Sequence, residues 1–347
     1  MTRTTNNAFR LPAEWESADA VLLAWPHEAT DWNYMLESVR RCYTDIAAAI
    51  VPHARLVIIA PDVEPAHRML AHLPQERIIY VTCPTNDTWA RDFGPLSLRA
   101  ADGSWLVADY RFNGWGLKFA ACEDNCVTPR LKAKGLIGTD VECRQNFVLE
   151  GGGIESDGKG TLMTTARCQL SPNRNPWMSE DQIKDCLVET FGAESIIWLR
   201  HGYLAGDDTD SHIDTLARFA PHDAIVYVGC DDPDDEHYSE LQAMKAELQQ
   251  AVTASGRSFS LFELPLPDAI YDEDGERLPA TYANFLVLRD CVIMPVYGQP
   301  MKDELARRII EVAYEREAVT VDCRPLIRQH GSLHCVTMQM PDQILSI

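Results

Sequence analysis

Short runs of β-branched, aliphatic and aromatic residues recur along the whole chain. ADAVLLAWP (18–26), RLVIIAP (55–61), RIIYVTCP (77–84) and WLVADYRF (105–112) open the series. GTLMTT (160–165), SIIWLR (195–200) and AIVYVGC (224–230) continue it. FSLFELPLP (259–267), ANFLVLRDCVIMPVYG (283–298) and LHCVTMQMP (333–341) complete it. Gly, Pro, Asn or Asp bounds most of these runs, which predicts strands. Helical spacing of apolar residues marks WNYMLESVRRCYTDIAAAIVP (32–52), SELQAMKAELQQAVTASG (239–256) and KDELARRIIEVAYERE (302–317). PWMSEDQIKDCLVETFG (176–192) opens after Ser, Asn and Pro and stops at Gly, as a helix should.

The order strand, helix, strand, with extra strand pairs, repeats about five times, which argues an α/β fold. The length of 347 residues alone allows roughly two domains or one large repetitive one. Recurrence every roughly 50–70 residues favours pseudo-repeats around an axis. No Pro/Gly/Ser-rich linker divides the chain. The acidic stretch DDPDDEH (231–237) reads as a solvated loop.

Composition narrows the partners. The 46% hydrophobic and 24% charged residues are ordinary for a globular protein. Against 31 Lys and Arg stand 52 Asp and Glu, a net charge of −21. Nucleic acid and anionic membranes both call for clustered cations and are excluded as main partners. A cationic ligand is compatible. The eleven Cys, at 42, 83, 122, 126, 143, 168, 186, 230, 291, 323 and 335, form no CxxC pair. Many scattered thiols read as a reduced, cytoplasmic setting. The N-terminus lacks the apolar stretch of a signal peptide, and no apolar run is long enough to span a bilayer.

Four clusters carry candidate chemistry. In NDTWARDFGP (86–95), Asp87, Arg91 and Asp92 surround Trp89. A capped turn with an internal ion pair explains these residues; carboxylates beside an aromatic face also suit a planar cation. In FVLEGGGIESDG (147–158), Glu150 precedes three glycines, which allow a tight turn or close backbone approach to a ligand. No GxxxxGK[ST] follows, so this is not a P-loop. In GDDTDSHIDTLARF (206–219), His212 and Asp214 face the same way if the segment is extended, and Asp207, Asp208 and Asp210 crowd the approach. Such a set is open to two readings, a divalent-metal site or a general acid kept protonated by its acidic surroundings. In HGSLHCVTMQMP (330–341), Cys335 follows His334 at the start of a strand pattern. A thiolate there is a nucleophile if an imidazolium activates it. Strand alternation turns His334 to the opposite face, leaving His212 as the better partner.

These clusters in this order, with LPAEWE (11–16), WPH (25–27), FNGWG (112–116), YANF (282–285), PVYG (295–298) and GSLHC (331–335), resemble the agmatine deiminase and bacterial-type peptidylarginine deiminase family of the guanidino-group-modifying superfamily. The likeness runs from residue 11 to about residue 341. It implies a single catalytic domain over residues 1–347, a five-bladed α/β propeller (pentein) of ββαβ units with pseudo-fivefold symmetry. It also implies hydrolysis of a guanidinium to a ureido group with release of ammonia. By the resemblance Cys335 is the nucleophile and His212 the general acid/base. Asp92 and Asp214 bind the guanidinium, Glu150 orients His212 and helps bind a guanidinium nitrogen, and Trp89 walls the pocket. A homodimer is common in such families. The chemistry needs no metal or organic cofactor: two carboxylates fix the plane of the cation, the thiolate adds, and imidazolium protonates the departing ammonia. The thiol is expected to rest neutral until the cation arrives.

Two stretches depart from the family pattern. Gln329, His330, Gly331 and Ser332 stand where a Gly-rich run is usual, and Leu117 stands where Gly is common. Both shape the pocket around the substrate tail, so they bear on which guanidino compound is used. Agmatine, with its terminal amine, suits an acidic pocket. Peptidylarginine or another guanidino compound is the alternative. A metal-dependent hydrolase built on Asp207–Asp214 and a non-catalytic guanidino-binding protein are the rivals from other classes. A mere binder has no need of the thiol.

Overall fold

The computed structural model describes residues 9–16 and 18–346. Its strands pair into five separate sheets. Each contains an antiparallel pair followed by a parallel third strand reached through a helix. Ile154–Ser156 pairs antiparallel with Thr161–Thr165, which takes Ser195–Leu199 in parallel. The same pattern joins Ala217–Ala220, Ala224–Val228 and Ser260–Leu264. It recurs in Leu286–Val287, Cys291–Val296 and Glu317–Asp322. Leu96–Ala100, Trp105–Arg111 and Val141–Val148 follow it too, with Phe9–Arg10 added at the edge. The fifth sheet takes its first strand from far along the chain. Thr337–Met340 lies antiparallel to Ala20–Ala24, which is followed in parallel by Arg55–Ala60 and then Ile78–Thr82.

The crossover helices are Leu36–Ile50, Val127–Ala133, Glu180–Phe191, Tyr238–Gln250 and Pro300–Tyr314. Each follows from local sequence. In the first, Val39, Cys42, Tyr43, Ile46, Ala47 and Ile50 form one buried stripe at helical spacing. In the third, Ser179 and Gln182 close a reciprocal capping box, and Gly192 ends the helix at φ 60°. The fifth has Pro300 in its first turn and ends at Glu315 in a left-handed conformation. One apolar cluster runs from Ala18 to Leu345, and a second gathers around Ile213, Phe219 and Met244. Among the described residues, no helix is long and apolar enough to cross a membrane.

The expected strands over 55–61, 77–84, 105–112 and 224–230 form close to their expected positions. Others escaped the sequence pattern. Val141–Val148 (VECRQNFV) is half exposed and polar, so it lacks an apolar signature. Glu317–Asp322 begins where the helical spacing of 302–317 was read through, because the helix stops at Tyr314. Of LHCVTMQMP, only Thr337–Met340 is strand, and residues 333–336 form a turn.

Candidate active site

Loops at strand ends deliver the six residues expected to act together. Trp89 precedes the short helix Ala90–Phe93, which carries Asp92. Glu150 follows the strand Val141–Val148 and enters a 3₁₀ turn, Gly151–Gly153. His212 stands at the start of a second 3₁₀ turn, Ile213–Thr215, which carries Asp214. Cys335 sits in the turn before Thr337–Met340. All six are buried.

Gly152 is where the carboxylates and imidazole meet. Its backbone N–H donates to Asp92 Oδ1 at 2.9 Å. A Cβ on this residue would lie 2.7 Å from His212 Nδ1, 2.8 Å from Asp92 Oδ1 and 3.1 Å from Asp214 Oδ2. Trp115 Nε1 donates to Asp92 Oδ2 at 2.9 Å, so both oxygens of that carboxylate are held. His212 Nε2 is 3.1 Å from Glu150 Oε2. Cys335 Sγ is 3.7 Å from Asp214 Oδ2 and 3.2 Å from Asn284 Nδ2. Asp214 Oδ1 and His212 Nδ1 are buried with no hydrogen-bond partner among the described residues. Nδ1 stands 3.6 Å from Asp92 Oδ1, and the unsatisfied Asp214 oxygen, beside the second carboxylate, has room in its hydrogen bonding for a donor from a ligand. Trp89, Asp92, Trp115 and Cys335 line a cleft of about 380 Å³, whose other walls include Asp31, Asp87 and Asp208. Gly331 lets the cleft close on Trp89, because a Cβ there would lie 2.2 Å from Trp89 Cζ3.

Burial disfavours the His212 imidazolium, but Asp92, Cys168 and Glu150 outweigh it and hold the group well above the histidine range. Burial pushes the Cys335 thiol well up, and Asp214 and Asp92 push it further, against donors at Ser332 and Asn284. These surroundings therefore favour a neutral Cys335 thiol together with a His212 imidazolium. Burial also raises Asp92, to about 6, with His212 opposing and Asp214 and Glu150 adding. Burial would raise Asp214 too; His334, His212 and Arg218 reverse it and hold that carboxyl below its usual range.

Two expectations of local geometry fail. His212 and Asp214 do not share a face of an extended segment. They converge through the 3₁₀ turn, set up by Asp210 and Ser211 at φ 67° and 65°. His334 does not point away from the site either, because residues 333–336 are a turn and strand alternation does not apply. His334 Nδ1 lies 2.7 Å from Asp214 Oδ2, the same oxygen that approaches Cys335.

The sequence reading missed several residues of the site. Trp115 and Asn284 lie in the quoted stretches FNGWG and YANF but received no role. Arg174 lies in the polar loop SPNRNP, whose sequence offered no signal. Its Nε donates to Glu150 Oε2 at 2.7 Å, Nη1 to Asp210 Oδ2 at 2.6 Å and Nη2 to the Thr209 carbonyl at 2.8 Å. It thus ties the His212 loop to the carboxylate beside His212. Removing one partner of a buried ion pair leaves an uncompensated charge, which costs about 3–5 kcal/mol. Arg174→Met is expected to lower unfolding free energy by about that amount in urea melts; a loss under about 1 kcal/mol would contradict this role.

Arg174 also bears on metal binding. Glu150, Cys168 and His212 present donor atoms within 4.8 Å of one another, but the Arg174 guanidinium already occupies the cation position at Glu150. In the Asp207–Asp214 stretch, Asp207 accepts from Thr209 and Ser211, and Asp210 pairs with Lys118 and Arg174. These carboxylates are committed to the loop and do not fit a metal site. Asp208, by contrast, faces the cleft. Leu117 has φ 68°, a conformation glycine adopts more readily, which accounts for the usual Gly at that position.

Fold and site together define a deiminase-class hydrolase acting on the C–N bonds of an amidine group. More particularly, the chain belongs to the Porphyromonas-type peptidyl-arginine deiminase family, whose model matches residues 10–341. It is 32% identical to the agmatine deiminase of Stutzerimonas stutzeri over 96% of each chain. Among solved structures, a candidate arginine deiminase from Porphyromonas gingivalis is 48% identical, with a TM-score of 0.92 over 97% of this chain and 99% of that one. A cysteine-to-serine variant of C. jejuni agmatine deiminase with substrate bound is 36% identical, with a TM-score of 0.89 over 98% of each chain.

Proposed function

We propose that this chain hydrolyses the guanidinium of agmatine to N-carbamoylputrescine and ammonia through a covalent thiouronium on Cys335. The observation that carries the reading is the pair of bare buried atoms, Asp214 Oδ1 and His212 Nδ1, beside Asp92 and the thiol. A planar cation satisfies the carboxylates and brings its central carbon to the sulfur. Its charge offsets the carboxylates that keep the thiol protonated, so Cys335 releases its proton to solvent as substrate binds. The thiolate adds to the guanidinium carbon, and His212 protonates the leaving nitrogen to give ammonia. His212 then takes a proton from water, whose hydroxyl adds to the thiouronium carbon; the C–S bond breaks, the hydroxyl proton passes to the leaving sulfur, and the ureido product forms with the thiol and imidazolium restored. Glu150 orients His212, and Trp89 covers one wall.

The acidic mouth supports agmatine. Burial lifts the Asp87 carboxyl to about 7, and burial with Asp207 lifts Asp208 to about 6. No Lys or Arg stands among the described residues lining the cleft, so a terminal amine is favoured over a carboxylate tail. Asp208→Asn is expected to lower kcat/KM for agmatine about tenfold and to spare a simple alkylguanidine; equal losses on both would remove Asp208 from tail recognition.

The wider reading is one catalytic domain, its five sheets set as propeller blades around a pseudo-fivefold axis. Five ββαβ repeats support it, as does the pairing of Ala20–Ala24 with an opening strand from residues 337–340. Eleven free thiols support a cytoplasmic setting. A homodimer belongs to the same reading and is checked by light scattering.

The deciding assay is ammonia release from agmatine, arginine and a C-terminal-arginine peptide, with and without a chelator. Chelator-resistant turnover of agmatine alone is expected. Preference for a peptidylarginine, the substrate in the family's name, would keep the mechanism and move the specificity. No turnover of any of the three would overturn the activity.

A further inference from the structure

A second polar cluster lies behind the site, and none of the roles above uses it. Its centre is His334. On one side, His334 Nδ1 is 2.7 Å from Asp214 Oδ2. On the other, Nε2 is 2.7 Å from Glu14 Oε1 and 3.1 Å from Arg218 Nη2. The backbone N–H of His334 donates to Asn284 Oδ1 at 2.9 Å, and Asn284 also touches the Cys335 sulfur. Glu14 comes from the N-terminal segment and is held by Arg218 Nη2 at 2.6 Å and Arg91 Nη1 at 3.1 Å. Arg218 is fixed in turn by Glu155 Oε2 at 3.1 Å and the Phe285 carbonyl at 2.6 Å.

We infer that His334, braced by Glu14 and Arg218, is a positioning residue that holds the Asp214 carboxylate so that its bare oxygen Oδ1 faces the guanidinium. The inference rests on the proposed activity and assigns a function to a histidine that does not itself reach the reacting atoms.

The contacts define which proton matters. Asp214 Oδ2 needs a donor; among the described residues Nδ1–H of His334, at 2.7 Å, is placed to give it at far shorter range than the Cys335 thiol at 3.7 Å. When the ring is charged, both nitrogens donate, one to Asp214 and one to Glu14. When the ring is neutral, one nitrogen must face a carboxylate without a proton; Arg218 Nη2, 3.1 Å from Nε2, favours Nε2 as the bare one, with Glu14, 2.7 Å away, still held by Arg91 and Arg218. The proton stays on Nδ1 in both states. Burial, Arg218 and Arg91 draw His334 below the ordinary histidine range, so the neutral ring is the form that must hold this tautomer. A second group that fixes a histidine tautomer in this way sets the direction of the group the histidine serves. Asp214 has two oxygens with different tasks. Oδ2 is tied to His334, which prevents the carboxylate from rotating, and Oδ1 is left free for substrate.

Two variants separate positioning from packing. In His334→Asn, the side-chain NH₂ stands near the position of Nδ1 and retains the donor to Asp214. In His334→Gln, the NH₂ reaches towards Nε2 and does not. Agmatine kcat in His334→Asn is expected within about fivefold of wild type, and in His334→Gln about 30-fold down. Equal losses in the two variants would overturn the proposal. The second measurement needs neither variant nor substrate: ¹⁵N shifts of the histidine rings in the wild-type protein. A protonated Nδ1 at neutral pH is expected for His334; a bare Nδ1 with the proton on Nε2 alone would overturn the assignment. Absence of agmatine turnover by wild type would instead overturn the proposed activity, and the tautomer measurement would still decide the contact to Asp214.

Discussion

Cys335→Ser is expected to abolish ammonia release, by at least about 10⁴-fold, while the site still binds the guanidinium. The loss follows from the division of labour in the proposed mechanism. Binding falls to Asp92 and Asp214, which the substitution leaves in place. Bond formation falls to the sulfur alone. A hydroxyl set beside Asp214 and Asn284 is a poor nucleophile at neutral pH, and His212, already an imidazolium, has no capacity to accept its proton. Agmatine should therefore raise the melting temperature of the serine variant, as a ligand that binds only the folded form must. Residual turnover above about one part in a hundred, or no thermal shift, would contradict that division. The wild-type protein offers a companion test. Its resting thiol is raised, so alkylation by iodoacetamide should be slow at pH 7 and climb into the alkaline range. Asp92, at about 6, sets the other limb: kcat/KM should hold above that pH and fall as protonation removes the carboxylate.

Gly152→Ala is the second change with a large expected effect. The added methyl carbon would enter the space shared by His212 Nδ1, Asp92 Oδ1 and Asp214 Oδ2 at 2.7, 2.8 and 3.1 Å. None of the three can yield freely. His212 is tied to Glu150, Asp92 to Trp115 and to the Gly152 N–H, and Asp214 to His334. One of these ties must break, and displacement of about 1 Å in such a site costs on the order of 10²-fold in rate. Overpacking should also lower stability by about 1–3 kcal/mol. The check is kcat/KM for agmatine alongside a urea melt. Wild-type activity at wild-type stability would mean the three groups have slack that the contacts do not show.

The case of Gly152 shows what was legible in the sequence. A run of three glycines after Glu150 signalled a close approach of backbone to something, and the structure shows it to be the site's own side chains. The order of strands and helices was legible because apolar periodicity survives wherever an element is buried. It failed at Val141–Val148, where half the strand faces water. Site residues in the stretches shared with the family could be named from one sequence. Their mutual geometry could not, because it depends on turns: two left-handed residues before His212 and a turn at His334 replaced the expected extended backbone. Arg174 was invisible for a different reason. Its task is to satisfy a buried carboxylate, and nothing in a polar loop announces which arginine will be drawn inside.

Thr337–Met340 completes a sheet whose neighbouring strand, Ala20–Ala24, lies roughly 300 residues earlier. At about 5–20 residues per second, the ribosome takes about 15–60 s to make the intervening chain. For that interval Ala20–Ala24 waits with an open, apolar edge, the kind that recruits strands from other chains. By the proposed mechanism the same delay withholds activity, since Cys335 leaves the ribosome just ahead of the strand that anchors it, and no nascent fragment ending before it carries the proposed nucleophile. On that mechanism, the newly made protein therefore acquires catalysis and the complete four-stranded sheet in one late event.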